Sequence, residues 1–112
     1  MKVQRLSLNV TSDGGHTRIQ VAGELDLDTR DSLIGAAHTA LVPVRELELD
    51  LSGVTFCDSS GVSGLIAVYR MAQESGKRVV VTNARAQVAQ TLTIAGVLPA
   101  LTGEQASPVN ES

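Results

Sequence analysis

Residues 46–51 read Glu46-Leu47-Glu48-Leu49-Asp50-Leu51. A strict period of two places all three leucines on one face of a strand and all three acids on the other. No helical register sorts these residues so cleanly. The segment therefore requires a sheet with one apolar face and one wet face. The helices of the chain are expected mainly on the apolar side.

The rest of the chain can be placed around that strand. Leu6, Leu8 and Val10 alternate with polar residues, and Asp13-Gly14-Gly15 is a turn signal. Residues 17–22, with Ile19 and Val21 on one face, complete an antiparallel hairpin. Leu33, Ala36, Ala37, Ala40 and Leu41 keep helical spacing after Asp28 or Thr29, either of which can act as cap, and Pro43 stops the helix. Val62, Leu65, Ile66, Tyr69 and Ala72 define a second helix ending at Gly76, and Val79-Val80-Val81 a buried strand. Val88, Leu92 and Ala95 give a third helix ended by Gly96, and residues 97–101 a short last strand. The expectation is an α/β domain of order β-β-α-β-α-β-α, with a mixed four- to five-stranded sheet. It spans residues 1–101, followed by a polar, flexible tail over 102–112.

Composition narrows the function. At 112 residues the chain is one domain, and 43% apolar content supports a core. A net charge of −3 argues against a nucleic-acid partner, which would call for a basic face. Aromatics are 2%, too few for base-stacking platforms. One cysteine and two histidines exclude an intrachain disulfide and argue against a zinc site. The longest apolar run, Leu65-Ile66-Ala67-Val68-Tyr69, is far short of a membrane span. Met1-Lys2-Val3-Gln4-Arg5 does not lead into a signal-peptide core. The expected location is cytoplasmic, without direct membrane contact.

Catalytic motifs are missing. Residues 61–65, Gly61-Val62-Ser63-Gly64-Leu65, fail the Gly-x-Ser-x-Gly elbow at the last position. No phosphate-binding Gly-x-x-x-x-Gly-Lys loop occurs. The reading is a binding protein rather than an enzyme, with no cofactor and no metal.

The informative segment is Phe56-Cys57-Asp58-Ser59-Ser60-Gly61, where a strand ends and hydroxyls sit at a helix start. Gly61 and Gly64 fall in the first helical turns, where each glycine costs about 1 kcal/mol relative to alanine. Two accounts are open. Ser59 or Ser60 is a helix cap and the glycines permit tight packing, or the turn is a docking site. A wheel at about 100° per residue turns Ser60, Gly64, Ala67, Val68 and Met71 outward as a small apolar stripe. That stripe is either a docking surface or is covered by another element such as the third helix. Asp58 serves as a cap in preference to orienting the Ser59 hydroxyl. Cys57 reads as a small buried hydrophobe.

Over residues 6–101 the sequence resembles the STAS domain, and within it the bacterial anti-sigma-factor antagonists. The resemblance is carried by Val21-Ala22-Gly23-Glu24-Leu25-Asp26 with Thr29, by residues 49–61 ending in Asp58-Ser59-Ser60-Gly61, and by residues 88–98. It departs at Ser63, where the family often has glycine, and in the short tail. The resemblance implies that Ser59 is phosphorylated by a partner that is both anti-sigma factor and serine kinase, of the histidine-kinase-like ATPase fold. The unphosphorylated form would bind that partner and release a sigma factor. A serine phosphatase would reset the switch. The implied partner surface is Glu24, Asp26, Asp58, Ser59, Ser60, Gly61, Gly64, Ala67, Val68 and Met71. The same resemblance admits two other roles, an accessory subunit of a membrane lipid-transport ATPase and a component of a stress-signalling scaffold.

Overall fold

The computed structural model describes residues 5–94. Four strands form one sheet: β1 (Leu6–Asp13), β2 (His16–Leu25), β3 (Glu46–Cys57) and β4 (Arg78–Thr82). Their spatial order is β1-β2-β3-β4. β1 and β2 are antiparallel, and β2, β3 and β4 run parallel. Helix α1 (Arg30–Leu41) follows β2, α2 (Ser59–Glu74) follows β3, and α3 (Ala86–Ile94) follows β4. This is the order read from the sequence, with four strands among the described residues. The expected strand over 97–101, the end of the third helix at Gly96 and the tail over 102–112 lie outside them.

Each junction has a local cause. The β1–β2 hairpin turns through Gly14 and Gly15, both at positive φ (53° and 85°), as a two-residue hairpin turn of this twist requires. Parallel strands cannot be joined by a tight turn, so α1 and α2 serve as crossovers. Ile19, Val21, Leu47, Leu49, Val79 and Val81 are all buried, with Ile19, Leu49 and Val81 in register across β2, β3 and β4 and Leu47 opposite Val79. Leu33, Ala37, Leu65, Val68, Ala72 and Leu92 join them from the helices in one core.

The acids of β3 meet their counter-charges on the other face. His16 lies 3.5 Å from Glu46 and 3.2 Å from Glu48, Arg18 pairs with Asp50, and the Thr82 hydroxyl donates to Glu48 at 2.6 Å. Desolvation opposes ionisation of Asp50, but the Ser52 amide and Arg18 outweigh it and hold its pKa at about 2.

The alternation does not run unbroken to the end of β3. The register of β2 on β3 shifts between Gln20 and Ala22 and again between Gly23 and Glu24, so β3 accommodates extra residues. Val54 and Cys57 then point inward, and Phe56 emerges opposite Glu24 with 46% of its surface exposed. The irregular stretch delivers the chain to the start of α2.

Candidate functional site

The site lies at the C-terminal ends of β2 and β3, where two strand-to-helix junctions meet. Asp58 is the N-cap of α2, in extended conformation, and its carboxylate accepts from the Ser60 and Gly61 amides at 2.9 and 3.1 Å. The expected capping role is therefore the observed one, and it is Asp58 that caps, not either serine. Ser59 is the first helical residue and is exposed; its hydroxyl makes no hydrogen bond among the described residues. Ser60 is half-buried.

Gly61 is explained by close approach. A Cβ there would stand 2.5 Å from the Leu25 carbonyl oxygen, 2.8 Å from Leu25 Cβ and 2.9 Å from Cys57 Sγ. The Asp58 amide also donates to that carbonyl, at 3.2 Å. The helix start is thus seated directly on the end of β2. Cys57 is buried there, and burial followed by the charge of Asp58 pushes its thiol up to about 11. It is a packing residue and a poor nucleophile.

The neighbouring loop is locked from both sides. Asp26 is 8% exposed, and its carboxylate accepts from the Asp28 and Thr29 amides at 3.0 and 3.2 Å and pairs with Arg5. Burial disfavours its charge, but the Asp28 amide and Arg5 overcome that and its carboxyl titrates below the usual range. Arg5 also reaches Glu24 at 2.7 Å and Asp28 at 3.1 Å. Thr29 occupies the cap position of α1, yet its hydroxyl does not cap. It donates to the Glu24 carbonyl at 2.7 Å and accepts from the Asp26 amide at 3.0 Å.

The expected outward stripe on α2 needs correction. Gly64 and Val68 are buried and Met71 is half-buried, packed against the core. The covering element is α1, not α3. A Cβ at Gly64 would come within 3.2 Å of Arg30 Cγ, and Met71 lines a hollow of about 70 Å³ with His38, Leu41, Val42, Ser75 and Lys77. Lys77 ties the same corner by donating to the Val42 carbonyl at 2.9 Å. The wheel assumed one core face, whereas α2 is enclosed by the sheet on one side and α1 on another. Ile66 and Tyr69, assigned to the core, are correspondingly only half-buried, as is Ala67.

What the site offers outward is therefore Ser59 with Glu24, and beside them two apolar side chains that sequence reasoning passed over. Leu27 is 64% exposed in the β2–α1 loop and Phe56 46% at the end of β3. Large exposed apolar residues at the two strand-to-helix junctions fit contact with another protein. Among the described residues no group of three His, Cys, Asp or Glu side chains could hold a metal ion, and no helix is long and apolar enough to cross a membrane.

Comparison with known proteins matches residues 8–99 to the family model described as "Mlab, STAS domain". The chain belongs to the STAS family. The solved structure of the anti-sigma factor antagonist SpoIIAA in its unphosphorylated form is similar with a TM-score of 0.72 and 18% identity, covering 95% of this chain and 88% of that one. An anti-sigma factor antagonist from Mycobacterium paratuberculosis is similar at 25% identity and a TM-score of 0.69, covering 82% and 79%. Solute carrier family 26 member 10 of Mus musculus is 36% identical over 63 residues, which are 56% of this STAS chain. The chain spans 9% of the length of that carrier.

Proposed function

We propose that this STAS domain is an anti-sigma-factor antagonist whose binding is switched at Ser59. The observation that carries the reading is the free, exposed Ser59 hydroxyl at the first position of α2, beside a cap that Asp58 already fills. The domain's role is to accept a phosphoryl group and to bind, not to catalyse. Ser59 Oγ attacks the γ-phosphorus of ATP held by the partner kinase, the bond to the β-phosphate oxygen breaks, ADP leaves, and the hydroxyl proton passes to the kinase or solvent. A serine phosphatase reverses the state by hydrolysis, returning the hydroxyl and inorganic phosphate.

The local physics supports a surface switch without refolding. Helix N-termini favour negative charge by roughly 0.3 to 1 kcal/mol, so α2 tolerates the phosphate. Phosphorylation adds about −1.5 to −2 charges to a chain of net charge −3. A partner surface fitted to a neutral hydroxyl would have to desolvate that dianion. A loss of only about 2.7 kcal/mol weakens binding a hundredfold.

The test is capture of partners from native lysate on wild type, Ser59→Ala and Ser59→Asp. Wild type and Ser59→Ala are expected to retain a kinase of the histidine-kinase-like ATPase fold, and Ser59→Asp to lose it at least a hundredfold. A second reading is a subunit of a membrane transport system, such as the accessory subunit of a lipid-transport ATPase; the 36% identity with part of a solute carrier supports only that such segments occur in transport proteins. Equal retention of one transporter ATPase by all three forms would select it and sink the switch.

A further inference from the structure

The route of Arg30 over α2 gives Ser59 a neighbour that the switch itself does not require. Arg30 opens α1, and its aliphatic stem lies across Gly64, where a Cβ would meet Arg30 Cγ at 3.2 Å and Arg30 Cβ at 3.4 Å. The missing side chain at Gly64 is what lets the stem cross. Beyond it, Nη1 donates to Ser63 Oγ at 3.5 Å, the long limit for such a bond. Nε stands 3.7 Å from Asp31, a side chain 89% exposed. The guanidinium is thus held loosely on both sides. Ser63 is four residues after Ser59, and residues so spaced are neighbours on a helix, with Cβ atoms about 5–6 Å apart.

We infer that Arg30 is the built-in counter-charge for a phosphate on Ser59. The guanidinium leaves Ser63 and turns about one helical turn toward the start of α2. There it presents two N–H groups to two phosphate oxygens, a geometry that guanidinium and phosphate share. Ser63 is the resting place of Arg30 in the unphosphorylated protein, and Gly64 is the groove that allows both positions. This inference rests on the reading of Ser59 as the modified residue, and it names how the modified state is held.

The test installs phosphoserine at position 59 during synthesis, so that no kinase is needed, and titrates the phosphate by ³¹P NMR. A phosphoserine has its second pKa near ~6. In the wild type it is expected about 1 lower than in Arg30→Gln, the small end of what an adjacent opposite charge does. Asp58 and Asp31 are present in both proteins, so the difference isolates Arg30. Identical titrations would overturn the inference. The wild type alone supplies a second readout that does not depend on the variant folding. Its Arg30 Nε–H resonance is expected to shift between the serine and phosphoserine forms, and an unmoved resonance overturns the inference equally. Failure of the switch would instead appear as partner capture insensitive to Ser59, with both expected NMR differences still present.

Discussion

The two strand-to-helix junctions are made of similar residues and do opposite things. β2 enters α1 through Asp26-Leu27-Asp28-Thr29, and β3 enters α2 through Cys57-Asp58-Ser59-Ser60. In the first, the aspartate and the hydroxyl are both buried and bonded to each other, to backbone and to Arg5. In the second, the aspartate satisfies two amides and the next hydroxyl is left free. A carboxylate beside a hydroxyl is thus a scaffold when it is enclosed and counter-charged, and leaves the hydroxyl open to modification, as proposed for Ser59, when it stands at the open end of a helix. The second junction is seated on the Leu25 carbonyl through Gly61, directly before the bonded first junction.

The sharpest way to break that contrast is Thr29→Val, which keeps the shape and removes the hydroxyl. It leaves the Asp26 amide and the Glu24 carbonyl without the partner each has now. A buried group left unpaired costs about 1–3 kcal/mol. We expect a loss near ~2 kcal/mol, read as a lower urea midpoint with an unchanged slope. A loss under about 0.5 kcal/mol, the ordinary scale for surface changes, would mean that the first junction is no more rigid than the second.

Acid separates the enclosed carboxylates from the rest. Asp50 titrates near 2 in the folded protein, and Asp26 is also held below its usual range. A carboxyl with a folded pKa below its unfolded value contributes stability that is fully present above the unfolded value, near ~4. That stability is lost as pH falls from there toward 2. For Asp50 the change is about 2 kcal/mol. Urea unfolding between pH 5 and pH 2 is expected to show it, and Asp50→Asn to flatten the profile. An unchanged profile in that variant would assign the acid sensitivity to other groups.

These contrasts also mark what the sequence could reveal. The order of elements along the chain, the wet face and the helix starts were legible because each rests on a local pattern: the alternation over residues 46–51, the two glycines of the hairpin, the cap at Asp58. The covered face of α2 was not. Gly64 and Met71 meet α1, some thirty residues upstream, and a wheel of one helix has no means of showing a second neighbour. Phe56 was missed for a different reason. The two register shifts invert the alternation at Val54 and restore it by Cys57, so Phe56 emerges on the face that Glu48 and Asp50 share, where the acids of the strand gave no sign of an apolar residue. Asp26 carried a signal that was misread. Its place in a Gly-Glu-Leu-Asp segment made it a contact candidate, while Arg5, the residue that encloses it, lies twenty-one positions away.

The smallest expected effects are the most discriminating, because they concern the free hydroxyl itself. Asp58→Ala removes the acceptor for two first-turn amides, and loss of a cap costs about 1 kcal/mol. Ser59→Ala removes a hydroxyl that bonds to nothing described, and exposed changes of this kind stay within about 0.5 kcal/mol. The two variants therefore separate stability from binding at adjacent positions. If Ser59→Ala left stability intact while Ser59→Asp abolished partner capture, the second junction would be a site built on a cap. If instead Ser59→Ala destabilised the protein as much as Asp58→Ala, the hydroxyl would belong to the cap. The two junctions would then differ only in burial.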